Sequence, residues 1–144
     1  MSFPKSVPDF IPGHKSSDDI LVLGQCPSSN IKQTKNGTFS KLRGWMEWVG
    51  EPAWAFHNVI PNKINSYNMS DVDTDKLESV VRNKKVIIAL GGFVSRVCTK
   101  YGISHIKIDH PSPRNRNLNS IEYEIAMLQR LQHDIAEHKD LHGA

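Results

Sequence analysis

The chain has 144 residues, 18 Lys and Arg against 15 Asp and Glu, a net charge of +3 and a pI near 8.9. That length suits one domain burying about 70% of its unfolded surface, and interspersed acidic residues mean that the charge permits a polyanionic partner without requiring one. No apolar run approaches the roughly 20 residues of a membrane span, the amino terminus lacks the basic-then-apolar order of a secretory signal, and two distant cysteines, Cys26 and Cys98, exclude a disulfide framework or a four-cysteine metal site.

The expectation is therefore a reduced protein, cytoplasmic (nucleoid-associated) or nuclear and not secreted, with no membrane partner. In chain order, residues 1–19 carry Pro4, Pro8, Pro12 and Gly13 and read as an extended arm. Ile20–Leu23 is an apolar run of strand length, and Phe39–Val49 is a helix with Leu42, Trp45, Met46 and Val49 on one face. A second strand spans about Ala53–Val59. A helix starting at Thr74 as N-cap follows, carrying Leu77, Val80 and Val81. Val86–Leu90 is a third strand ending in Gly91-Gly92, and a helix over Phe93–Tyr101 stops at Gly102.

His105–Ile108 is the fourth strand. The last helix is expected after Asn119 as cap, with Glu122 reaching back, Leu118 and Tyr123 as a staple, and Ile121, Ile125, Leu128, Leu131 and Ile135 facing the core. Trp45, Trp48 and Trp54 read as core rather than as a stacking platform, and His133, His138 and His142 as a solvated stretch rather than metal ligands. Strands alternating with helices imply right-handed crossovers. The predicted fold is an α/β three-layer sandwich over residues 20–138, a four-stranded parallel sheet with helices on both faces, followed by a tail at 139–144.

In such a sheet the ligand crevice lies outside the carboxyl ends of the strands. Four loops should emerge there: Gln25–Asn30, Asn58–Asn62, Gly91-Gly92 and Asp109–Asn119. In the last, Pro111 and Pro113 flank Ser112 and stiffen a platform for His110, whose imidazole can donate to an oxygen that becomes anionic during bond breaking. A turn histidine satisfying a backbone carbonyl is the plainer alternative. Asn58 has the donors and acceptor needed to read a nucleobase edge, and is equally the type of residue found in turns.

Gly24-Gln25-Cys26-Pro27 followed by His110-Pro111-Ser112-Pro113 resembles the two signature motifs of the uracil-DNA glycosylase superfamily. Arg114-Asn115 extends the second toward the single-strand-selective monofunctional branch. Ala55-Phe56-His57-Asn58-Val59-Ile60-Pro61 is similar to that family's strand-end asparagine segment, and Val86–Gly91 to its third strand, so the resemblance covers about residues 20–120 in order. It implies a monomeric hydrolase that needs no cofactor or metal, flips a nucleotide out of DNA and breaks its N-glycosidic bond. His110 would then donate to the base O2, Asn58 would pair with N3 and O4, the Gln25 backbone would contact the base, and Phe39 would be a stacking ring. Ser28, Ser29, Ser112, Pro113, Arg114, Asn115 and Arg116 would contact DNA, Arg114 or Arg116 filling the vacated hole or holding phosphate and Leu118 serving there or only as the helix staple, with plain turn chemistry as the competing reading.

Two positions depart from the pattern. Cys26 stands where the family usually has Asp or Asn to orient water; it is read either as a catalytic thiolate or as an inert loop filler. Ser28 stands where the most uracil-stringent branch has tyrosine, leaving space for a C5 substituent and pointing to 5-hydroxymethyluracil or mismatched thymine. The alternatives are a catalytically silent binder of nucleic acid or modified bases, and a nucleoside or base-modification enzyme on the same scaffold.

Overall fold

The computed structural model describes residues 19–26, 38–63, 66–111 and 115–143. Four strands, β1 (Ile20–Gly24), β2 (Ala55–Asn58), β3 (Val86–Leu90) and β4 (Ile106–Ile108), form one all-parallel sheet in the order β2-β1-β3-β4. The central strands β1 and β3 are buried along their whole length, as expected of strands covered on both faces, and this is why they read as unbroken apolar runs.

Alternate side chains feed two separate cores. One collects Ile20, Val22, Phe56, Ile88, Leu90 and Ile108 against helices α1 (Thr38–Trp48) and α4 (Ile121–Gly143). The other collects Leu21, Leu23, Ile87 and Ala89 against α2 (Thr74–Val81) and α3 (Gly91–Lys100). The chain is thus the three-layer α/β sandwich predicted from its alternation. Strand order reverses direction between β1 and β3: the path goes from β1 outward to β2, then back across to β3 and β4. A crevice is expected at that switch point.

Local chemistry sets the helix ends, with several differences from the sequence-based expectation. The cap of α2 is Asp73 rather than Thr74, its carboxylate accepting from Lys76 N at 3.0 Å; a carboxylate also favours the positive helix end. Helix α3 begins at Gly91, directly on the last residue of β3, rather than at Phe93. Its other end is a Schellman closure, Ile103 N to Cys98 O at 2.8 Å and Gly102 N to Thr99 O at 3.2 Å. Beyond it, His105 clips the approach to β4 onto α3, its ring bridging Ile103 O and Ser95 Oγ, each at 2.8 Å.

Ser120, not Asn119, caps α4, its Oγ accepting from Tyr123 N at 3.2 Å, because Asn119 ends a 3₁₀ turn, Arg116–Asn119. Only Leu128, Leu131 and Ile135 of the predicted face are buried; Ile121 is 72% exposed and Ile125 is also exposed. The first turns of α4 lie beside the 3₁₀ turn at the loop end of the molecule, where three-residue β4 gives them no sheet to cover. Residues 139–143 continue α4 rather than forming a tail, and Lys139 pairs with Glu51 at 2.8 Å. Trp45 and Trp54 are core, whereas Trp48 is 48% exposed. The arm at 1–18 lies outside the described residues.

Candidate functional site

Parallel pairing puts the ends of all four strands at one edge, and two glycines there have steric duties. Gly24, the last residue of β1, is the register partner of Asn58, the last residue of β2. A Cβ at Gly24 would stand 2.6 Å from Phe56 Cζ and 2.7 Å from Asn58 Oδ1. Glycine is required by this close approach, and what it admits is a carboxamide folded over the end of the central strand. Asn58 is 3% exposed, and its Nδ2 is buried without a hydrogen-bond partner. A buried unsatisfied N–H costs about 1–3 kcal/mol, so the arrangement carries a donor that none of the described residues accepts from.

Phe56 and Asn58 lie two residues apart on β2 and so face the same side, toward α1 and α4. Phe39, from the first turn of α1, meets Phe56 edge to face at 5.0 Å between ring centroids. It is half-buried and packs against the core on that face of the sheet.

At the other side of the edge, His110 follows β4 by two residues. Gly91, between β3 and α3, has φ +87°, and a Cβ there would meet His110 Cβ at 3.5 Å. That is ordinary contact, so the left-handed backbone, not the space, demands glycine. The turn allows His110 to back onto the end of β3, which brings it inward from the sheet margin. Adjacent strands are about 4.8 Å apart, so β2 and β3 ends, flanking β1, are separated by roughly 10 Å. The imidazole is partly buried, and this desolvation pushes its pKa below the usual 6.5, favouring the neutral ring at neutral pH.

The His110 loop is braced from behind. Asp109 accepts from Asn115 Nδ2 at 2.8 Å and from Tyr123 Oη at 2.8 and 3.0 Å. The Asp109 carboxylate raises the Tyr123 pKa. Asn115 also donates to His110 O at 3.5 Å, while its Oδ1 caps the 3₁₀ turn by accepting from Asn117 N. Asn115, expected to touch DNA, therefore has its amide engaged within the loop, and it is a brace for His110. In the sequence, Tyr123 reads only as a staple with Leu118 and Asp109 only as the start of its loop; an acidic residue directly before His110 at a strand end is the signal for the brace.

A second brace serves the β1 loop. Gln25 Nε2 donates to Ser66 O, and Cys26 Sγ donates to the same carbonyl at 3.6 Å. Ser66 is anchored by its own hydroxyl to Asp71 Oδ2 at 2.7 Å, and Asp71 pairs with Lys63 at 3.0 Å. These partners hold the Asp71 carboxyl below its ordinary pKa, the Ser66 hydrogen bond first and Lys63 second. The Cys26 thiol thus donates to a backbone carbonyl. Ser66 lies 40 residues from Cys26, and no local pattern announces it.

Among the residues expected at the site, the structure brings Gln25, Cys26, Asn58, Phe39 and His110 to one edge. Arg116 is exposed on the 3₁₀ turn. Ser28, Ser29, Ser112, Pro113 and Arg114 lie outside the described residues. A groove of about 300 Å³ lies elsewhere, between β4 and α4, lined by Ile106, Ile108, Tyr123, Met127 and Leu131 among others. On α4 the ligand atoms of His133, Asp134 and Glu137 come within 4.8 Å of one another, but His133 pairs with Glu137 and Asp134 with Arg130 in i,i+4 surface contacts. Comparison with known proteins found no matching family model, curated protein or solved structure. The fold and site define the class: a doubly wound α/β domain whose switch-point edge carries an Asn58 Nδ2 with no partner among the described residues and a His110 ring whose pKa is lowered by burial.

Proposed function

We propose that this protein is a DNA-base glycosylase of the uracil-DNA glycosylase type, hydrolysing the N-glycosidic bond of a flipped-out uracil or C5-modified uracil. The observation that carries the reading is the buried Nδ2 of Asn58, without a partner among the described residues, in a carboxamide packed beside a glycine that leaves it room. A pyrimidine with a carbonyl at C4 would accept from that N–H, while Oδ1 would accept from N3–H. Cytosine presents an amino group at C4 and an unprotonated N3, so both contacts would become mismatches.

As the glycosidic bond lengthens, positive charge gathers on the sugar and negative charge on the departing base. The neutral His110 ring, held by the Asp109 loop, would donate its N–H to the base O2 where that charge grows. A preorganised donor of this kind is worth about 3–4 kcal/mol in the transition state. Once the bond has broken, water adds to C1′ of the oxocarbenium-like sugar and its released proton goes to the base anion, leaving an abasic site and the neutral base. Cys26, with its proton aimed at Ser66 O, takes no part as nucleophile on this reading.

The same Cys26 geometry favours a second reading, a silent nucleic-acid or modified-base binder, because the position that would orient water in the resembled family holds a thiol instead. Incubation with single- and double-stranded oligonucleotides carrying uracil, thymine opposite guanine, or 5-hydroxymethyluracil separates the two. Alkali-labile abasic sites in any of them support the glycosylase, and tight binding with none formed supports the binder. Preference for unmodified uracil would count against the C5-modified substrate.

A further inference from the structure

Beside the β1 brace, one aromatic side chain is left almost wholly in solvent. Tyr67 is 77% exposed, although it directly follows Ser66, whose carbonyl receives both Gln25 and Cys26. Its ring is not loose: it meets Phe93 in the first turn of α3 edge to face, 6.5 Å between centroids. Arg96, one turn further along α3, lies over the same Phe93 ring at 5.8 Å, exposed, and in no ion pair among the described residues. An ordered, exposed ring, a cation held on the same Phe93 ring and a location one residue from the Ser66 carbonyl form a small aromatic and basic platform beside the β1 loop.

We propose that Tyr67, with Arg96 held on the same Phe93 ring, stacks an unpaired base of a DNA strand, so that single-stranded DNA is the preferred partner. The choice of partner follows from geometry. A base inside a duplex is already sandwiched and paired, whereas in a single strand its face is free to lie on an aromatic ring while Arg96 meets the phosphate. An apolar protein partner would have no use for the guanidinium beside the ring. The identity of the base at Asn58 rests on the glycosylase reading, but the platform itself does not.

The test uses labelled oligonucleotides without uracil, single-stranded and duplex, titrated with the full chain and with Tyr67→Ala, Tyr67→Phe and Arg96→Gln. Tyr67 is exposed, so the variants should melt with the parent. The expected result is single-strand affinity weakened about tenfold or more by Tyr67→Ala, kept by Tyr67→Phe, lowered and made less salt-sensitive by Arg96→Gln, and duplex affinity changed less than twofold. Equal weakening on both substrates, no change with Tyr67→Ala, or a Tyr67→Phe loss as large as the alanine loss would overturn the proposal. Because none of these oligonucleotides can be excised, a platform effect without abasic-site formation on the uracil panel would sink the glycosylase reading and leave this one standing.

Discussion

Asn58→Ala should separate stability from function. In an ordinary buried position, truncating a hydrogen-bonded side chain costs the chain about 1–3 kcal/mol because a partner is left unpaired. At Asn58 the donor Nδ2 has no partner among the described residues to leave behind, so its removal relieves a desolvation cost of about 1–3 kcal/mol. Against this stands a small cavity beside Gly24; at about 24 cal/mol per Å³, a void the size of one amide group costs about 1 kcal/mol. The two nearly cancel. Urea unfolding followed by far-UV circular dichroism should place Asn58→Ala within about 1 kcal/mol of the parent or above it, and free uracil should raise the melting temperature of the parent but not of the variant. A loss of more than about 2 kcal/mol would mean that the amide already has its partners, and the argument for a ligand at this position would fail.

Gly24→Ala should destabilise by about 1–3 kcal/mol, because its Cβ falls within 2.6–2.7 Å of Phe56 and Asn58; an unchanged urea midpoint would show that the contact relaxes freely. Cys98 is buried, with its thiol pushed up to about 11 by desolvation, so a thiol reagent should modify Cys26 alone in the native protein, and Cys26→Ala should keep excision within about tenfold of the parent if the thiol is not the nucleophile. His110 has its folded pKa lowered below 6.5 by burial. Above pH 6.5 it is neutral folded or unfolded and contributes nothing, while below 6.5 the unfolded chain takes up the proton first, so acidification favours unfolding. Urea midpoints at pH 7.5 and 5.5 should therefore fall further for the parent than for His110→Gln, and equal falls would show the imidazole to be as solvated as in the unfolded chain.

Much of the architecture was legible because local and global signals agree. Val86–Leu90 reads as a strand from its apolar run alone and is one, since a central parallel strand needs no polar face. Leu42, Trp45 and Met46 mark the buried stripe of α1 by spacing. Spacing says nothing about what lies underneath, so Ile121 and Ile125 share a helical face with Leu128 yet stay exposed where the sheet has ended. Thr74 and Asp73 are both capping types in sequence; which one caps depends on where the chain leaves the helix, and Asp73 does.

The site divides in the same way. Its strand-end loops follow from parallel topology, so Gln25, Asn58 and His110 could be gathered to one edge before any coordinates. The closeness of Gly24 to the Asn58 amide depends on strand register, and the Ser66 carbonyl and Tyr123 hydroxyl depend on contacts 40 and 14 residues away in sequence. Long-range polar contacts of this kind leave no periodic trace.

The most direct test of the account is single-turnover excision from a uracil-containing single strand by the parent chain and by His110→Ala. Parent turnover with a His110→Ala rate lower by about 10²–10³ is the predicted outcome, matching the loss of one preorganised donor. A His110→Ala rate within a few-fold of the parent would contradict it, because the imidazole at the end of β4 would then play no part in stabilising the departing base.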